Sequence, residues 1–316
     1  MKNNILNIKY PIIQAPMNWV TNAELVAAVS NAGGMGILGT NAGQSEVVND
    51  PRAVADRMRQ EIRKTKELTS NSFGINILTP PEGMNLDSSK FTKAILKSAF
   101  EEKIHYFAVV GTAHKETFDV IKQYGGVIIF RPLTPSIEQA QLAEQLGADV
   151  IVATGHDEGG ILPNDERGTF TVVGDILDAV SIPVFAAGGI NDKRTADAAF
   201  SLGASGIYVG TRFLVATESP VAKNIKDLIV ESASEDTVMV SGNQRAISTN
   251  RAKYFSNSFV KSHDTSAVNQ MISKDGGLRK SMLMGNANEG VITVNNGISS
   301  IKGKSAVSEI IEELLK

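Results

Sequence analysis

Glycine closes three apolar runs in the second half of the chain: Val150-Ile-Val-Ala-Thr-Gly-His-Asp-Glu-Gly-Gly160, Ile182-Pro-Val-Phe-Ala-Ala-Gly-Gly-Ile190 and Gly203-Ala-Ser-Gly-Ile-Tyr-Val-Gly-Thr-Arg-Phe213. A glycine just past a strand lets backbone N–H groups approach an anion closely. Two such turns in succession, Gly188-Gly189 and Gly210-Thr211, suit a phosphate group. After the last two strands of an α/β barrel, turns of this kind commonly hold one. Alone, either turn is equally well a plain chain reversal.

Groups placed this way need strands to carry them. An apolar, β-branched run without alternation reads as a strand buried on both faces. Eight such runs occur, at 11–14, 35–38, 73–77, 105–110, 127–130, 150–153, 183–187 and 206–209. Helical patterns separate most of them, so the strands are expected to be parallel. Thr21-Asn-Ala-Glu24 matches a capping box, and Asp50-Pro51 an N-cap followed by proline at the first helical position. The expected fold is a (β/α)8 TIM barrel. Past about residue 220 the alternation breaks, with helical patterns at 223–233, 249–259 and 267–271. The expected division is a barrel of residues 1–220 plus 291–316 and a small, mainly helical lid or insertion over 221–290. Extra barrel-wall helices are the plainer account of that stretch.

In such a barrel the working groups lie just past the C-terminal strand ends. Those positions hold Ala15, Pro16, Met17, Asn76, Gly111, Thr112, Arg131, Thr154, Gly155, His156, Gly188, Gly189, Gly210 and Thr211. Glycine, amides and hydroxyls dominate and charge is scarce. That suits a planar, hydrogen-bonding ligand with a phosphate tail. Paired-carboxylate hydrolysis fits badly, because Asp157 and Glu158 are sequence neighbours that point apart.

Composition narrows the classes further. The chain has 316 residues, 42% hydrophobic and 21% charged, with a net charge of −3. A barrel of this type needs ~250 residues, which leaves a modest insertion. The balance argues against nucleic acid, and no apolar stretch suggests a membrane span. The first ten residues lack the apolar core of a signal peptide, so a cytoplasmic location is expected. There is no cysteine, which excludes thiolate chemistry, and the four histidines show no metal-ligand spacing.

Several motifs together resemble the nitronate monooxygenases, formerly called 2-nitropropane dioxygenases, whose superfamily includes the FMN-dependent enoyl-ACP reductases. They are Pro11-Ile-Ile-Gln-Ala-Pro-Met17, Ala32-Gly-Gly-Met-Gly-Ile-Leu38, Phe73-Gly-Ile-Asn76, Ala186-Ala-Gly-Gly-Ile190 and Val209-Gly-Thr-Arg-Phe213. The likeness runs over nearly the whole chain. It implies one FMN per barrel, its phosphate on the backbones of Gly188, Gly189, Gly210 and Thr211. It implies Ala15, Pro16 and Met17 along the isoalloxazine, Asn76 bonded to the flavin or ribityl chain, and Thr154, Gly155, Gly159 and Gly160 from the sixth-strand loop. One loop departs from the family pattern Gly-x-Glu-Ala-Gly-Gly-His. Gly155-His-Asp-Glu-Gly-Gly-Ile161 puts isoleucine where the histidine stands, Asp157 on the glutamate and Glu158 on the alanine. Isoleucine cannot move a proton. His156 and Asp157 are then the candidate catalytic side chains, and loop packing is the plainer fate of His156.

The resemblance implies an FMN-dependent oxidation of alkyl nitronates by O2. A nitronate is already an anion, so losing the histidine matters less for it than for a neutral nitroalkane. The alternatives are an NAD(P)H-dependent FMN reductase acting on an enoyl thioester or quinone, and a flavin-binding protein whose catalysis has lapsed. The expected partners are a small substrate, O2 and, for the alternative, NAD(P)H; a homodimer is compatible. The IMP dehydrogenases share paired glycine turns but use a cysteine nucleophile, which this chain lacks.

Overall fold

The computed structural model describes residues 5–316. Eight parallel strands form the barrel: β1 (Ile12–Gln14), β2 (Gly36–Leu38), β3 (Phe73–Leu78), β4 (Tyr106–Gly111), β5 (Val127–Pro132), β6 (Val150–Thr154), and, after a short β7 (Gly160–Ile161), β8 (Val184–Ala187) and β9 (Gly206–Val209). Their order is β1-β9-β8-β6-β5-β4-β3-β2. A parallel bridge from Ile13 to Met35 closes the ring between β1 and β2. At that joint the Ile37 N–H donates to the side-chain Oε1 of buried Gln14 at 3.1 Å.

Alternation along each strand sorts the side chains. Ile13, Ile37, Ala108, Ile129, Val150, Val152, Phe185, Ala187 and Tyr208 pack inside the barrel. Their strand neighbours, such as Ile12, Phe107, Phe130, Ile151 and Ile207, face the surrounding helices. Both faces are therefore apolar, which is why these strands read as unbroken apolar runs.

Local signals set the helix starts. Asp50 accepts the Arg52 N–H at 2.9 Å, and Pro51 opens the helix Pro51–Leu68. The first helix, Ala23–Asn31, is capped by Asn22, whose side chain accepts the Leu25 N–H at 3.0 Å. That is one residue later than the Thr21 box predicts. The Thr21 hydroxyl is already committed to the Met17 backbone, accepting its N–H and donating to its carbonyl.

Residues 221–290 contain helices Lys223–Glu231, Asn250–Ser262 and Thr265–Asp275 and a π-helical turn Arg279–Leu283. They also contain a hairpin of β10 (Thr237–Ser241) and β11 (Gln244–Ile247), absent from the sequence reading. β11 pairs antiparallel with β7, which ties Gln244 and Arg245 to the loop after β6. No helix among the described residues is long and apolar enough to cross a membrane.

Candidate active site

The C-terminal strand ends surround a cavity of ≈ 460 Å³, within the ~300–1,000 Å³ typical of small-molecule sites. Ala15, Pro16, Met17 and Trp19 line it from the end of β1, and Asn76 and Arg131 from β3 and β5. Glu158, Gly159, Gly160 and Ile161 enter from the β6–β7 loop, and Gly188, Gly189, Tyr208, Gly210 and Thr211 from β8 and β9. Met282 of the π-helical turn and Gln244 of β11 complete the wall. Trp19 holds a left-handed backbone at φ 69°, a strained state for a bulky residue of the kind that clusters at functional sites. Arg279 lies over its ring at 6.0 Å and donates to the Ser45 carbonyl at 3.1 Å.

The β8 turn leaves backbone amides without acceptors among the described residues. Gly188 and Gly189 have φ of +106° and +70°, and side chains rarely tolerate two such residues in a row. Among the described residues, nothing accepts from the amides of Gly189, Ile190 or Gly210. Successive unpaired N–H groups around such a turn form an anion-binding concavity. At Gly210 an added Cβ meets only Ala15 Cβ at 3.7 Å and the Met17 sulfur at 3.8 Å. The missing side chain there leaves cavity space rather than relieving a clash. The return chain braces this end: Asn295 donates to Asn191 Oδ1 at 2.8 Å and from its backbone to Thr211 Oγ1 at 3.0 Å.

Thr154, Gly155, His156 and Asp157 stand outside the cavity lining. The Asp157 carboxylate accepts the Thr169 N–H at 2.7 Å and the Asn296 side-chain amide at 2.9 Å. Burial works against its charge, but these donors hold it below the usual range. His156 Nδ1 lies 3.4 Å from Arg245, whose guanidinium donates to the His156 and Glu158 carbonyls at 3.1 and 2.9 Å. A Cβ on Gly155 would sit 2.2 Å from the Thr169 nitrogen, and one on Gly159 2.6 Å from the Val294 carbonyl carbon. Close backbone packing therefore accounts for those two glycines. The Thr154 hydroxyl is buried with no partner among the described residues.

The sequence reading missed the pairing of Arg131 with Glu158. Arg131 Nη2 donates to both carboxylate oxygens, at 2.5 and 2.6 Å. The two side chains are only 10% and 12% exposed, and both line the cavity. Burial pushes the Glu158 carboxyl up to about 7, against the pull of Arg131 and Arg245. Burial also raises the neighbouring Tyr208 phenol, whose hydroxyl has no partner among the described residues. Orphaned buried hydroxyls of this kind ordinarily have a ligand or water to bond. The available signal was an arginine ending an otherwise apolar strand.

The sequence model that matches this chain, over residues 1–316, is that of nitronate monooxygenase. The chain belongs to the nitronate monooxygenase family. It is an oxidoreductase of that type. A probable nitronate monooxygenase of Staphylococcus haemolyticus is 33% identical, the match covering 81% of this chain and 77% of that one. One from Staphylococcus aureus is 32% identical, covering 81% and 78%. Among solved structures, FabK from Thermotoga maritima superposes with a TM-score of 0.84 at 30% identity, covering 98% of this chain and 92% of that one. Nitroalkane oxidase from Streptomyces ansochromogenes has the same fold, with a TM-score of 0.74 at 22% identity, covering 98% and 95%.

Proposed function

We infer that this member of the nitronate monooxygenase family binds FMN and oxidises small alkyl nitronates with O2. One observation carries the reading: a single cavity has unpaired backbone amides at one end and a buried guanidinium at the other. The amides of Gly189, Ile190 and Gly210, with Thr211 beside them, would hold the phosphate. Ala15, Pro16 and Met17 would lie along the ring system, and Asn76, whose Nδ2 donates to the Ala108 carbonyl at 2.9 Å, beside it. Gly188, Gly159 and Gly160 would shape the walls. Thr154 and Gly155 would position the loop from behind. When bound, FMN accepts two electrons and in its reduced form reacts with O2. Arg131, always protonated, offers the cavity a cation to orient an anionic substrate. His156 and Asp157 would fix the loop that carries Glu158.

The likeness to FabK favours a second reading, reduction of the flavin by NAD(P)H. Anaerobic mixing with NADH, NADPH and propionate 3-nitronate, each alone, separates the two. The nitronate should bleach the flavin. Bleaching by a nicotinamide and not by the nitronate would overturn the first reading. Denatured protein should release FMN rather than FAD, since one phosphate cradle serves the cavity.

A further inference from the structure

Among the described residues that line the cavity, Glu158 is the only carboxylate, and no histidine or lysine joins it. Arg131 and Tyr208 are the other titratable groups on its walls. Neither accepts a proton near neutral pH: the guanidinium stays charged, and burial holds the phenol in its neutral form. Proton removal from anything in this cavity therefore falls to one side chain. It sits where substrate would meet a cation, because Arg131 Nη2 touches both its oxygens and also approaches the Ile161 carbonyl at 3.5 Å.

We propose that Glu158 is the catalytic base of this site, taking the α-proton of a neutral nitroalkane and so generating the nitronate within the cavity. The α C–H bond breaks and its electron pair forms the C=N bond. The negative charge collects on the nitro oxygens, and the proton ends on a Glu158 oxygen. No oxidant enters this step. The choice of nitroalkanes rests on the nitronate reading above; the identity of the base rests on the cavity wall.

The surroundings suit the task. An ordinary carboxylate is a weak base at neutral pH, and catalytic carboxyls are raised toward the working pH by burial. Glu158 is shifted in that direction, to about 7. Arg131 from β5 and Arg245 from β11 pull it down, Tyr208 from β9 adds no opposing cation, and Asp157 of its own loop is turned to Thr169 and Asn296. Burial prevails. The pair also couples the two charges. While Glu158 is ionised it neutralises Arg131. Once it has taken the proton, the full guanidinium charge faces the nitronate just formed.

The test is α-proton exchange of nitroethane in D2O, followed by NMR with FMN-loaded protein in the absence of O2. Net oxidation then stops after one turnover per flavin, so multiple exchange reports on the proton step alone. Wild-type protein should wash out the α-protons above the buffer rate, rising with pH through one ionisation near 7. Glu158→Gln should lower the protein-catalysed rate by ~10²–10⁴-fold. If Glu158→Gln does not fold, Glu158→Asp keeps a charge for Arg131 but withdraws it by one methylene, and exchange should fall at least tenfold, within the general-base range. In flavin-free protein, the infrared band of a protonated carboxyl should titrate near pH 7 and vanish in Glu158→Gln. Wild-type exchange no faster than buffer, or unchanged exchange in both variants, would overturn the assignment. Failure of preformed nitronate to bleach the flavin would instead strike the nitronate reading, leaving the exchange result intact.

Discussion

The two ends of the cavity are made of different material. At the β8–β9 end the groups open to an anion are main chain, the unpaired amides of Gly189, Ile190 and Gly210. At the β5–β6 end it is side chain, the Arg131–Glu158 pair. A backbone cradle needs only residues that permit the turn, so its chemistry is fixed by geometry and indifferent to pH. A buried ion pair needs two residues 27 apart to meet in a dry wall, and its charge state can change. The first end suits holding a ligand and the second suits transforming one.

The sharpest break of the contrast is at the cradle. Gly189→Asp would put a side chain where φ is +70° and the nearest neighbour is Asp157 Cβ at 3.3 Å. It adds a carboxylate beside a phosphate in a space with little solvent, where like charges repel strongly. Bound FMN should fall to near zero in a protein that still shows its helical and sheet circular dichroism. Normal flavin content would move the phosphate elsewhere.

At the other end the largest effect should be on stability. Arg131→Met leaves Glu158 buried without its cation, and breaking such a pair typically costs ~3–5 kcal/mol. Chemical denaturation at pH 8 should show a loss on this scale, with Arg131→Met/Glu158→Gln recovering much of it. A single variant as stable as wild type would mean that the wall admits water freely.

A pH series sharpens the same point. The folded-state pKa of Glu158 lies above its ordinary value of 4.5, at about 7. The folded protein therefore binds this proton more tightly than the unfolded chain does. Its contribution to stability is fully present below about 4.5 and declines as pH rises toward 7. Subtracting the stability of Glu158→Gln from that of wild type at each pH should isolate this falling limb. A difference that stays flat, or rises, contradicts the shift.

The smallest effects should come from loop positions beside the pair. His156→Ala removes a ring that reaches Arg245 and does not line the cavity. Turnover of neutral nitroalkanes should change less than about threefold, the ~0.5 kcal/mol scale of a substitution away from the reacting groups. Ile161 is 40% exposed and lines the cavity. Ile161→His should raise turnover of neutral nitroalkanes only severalfold, because Glu158 already offers a base. A hundredfold loss in His156→Ala with flavin retained, in the range of a missing general base, would move the proton chemistry to His156.

The barrel was legible because each strand is buried on both faces, which leaves an unbroken apolar run ending at a glycine or polar residue. Gly188-Gly189 and Gly210 stood out for the same reason: a glycine after a strand is a backbone signal, and backbone conformation is local. The expectation that Asp157 and Glu158 diverge also matches the geometry, one turned to Thr169 and Asn296, the other to Arg131. The pairing itself was hidden, since no local rule brings position 131 to position 158. The β7–β11–β10 sheet was hidden too, because β7 has two residues and carries no period. Thr21 misled because its hydroxyl satisfies the chain before the helix, so the cap passes to Asn22.

The joint between β1 and β2 carries a further consequence. There Gln14 Oε1 takes the Ile37 N–H that a longer strand would give to a neighbouring carbonyl. The ring is thus fastened in part by a rotamer. A backbone ladder opens only when its strands separate, but a side-chain clasp opens by rotation about single bonds. Local opening is therefore least costly at this seam, and the Ile37 amide should be among the first of the buried strand amides to exchange with solvent. Ala15, the next residue after the clasp, lies beside Gly210, and the Ala15 N–H donates to the Val209 carbonyl at 2.8 Å. A ligand seated in the cavity against Ala15 and Gly210 would rest at the edge of that seam and act as its latch.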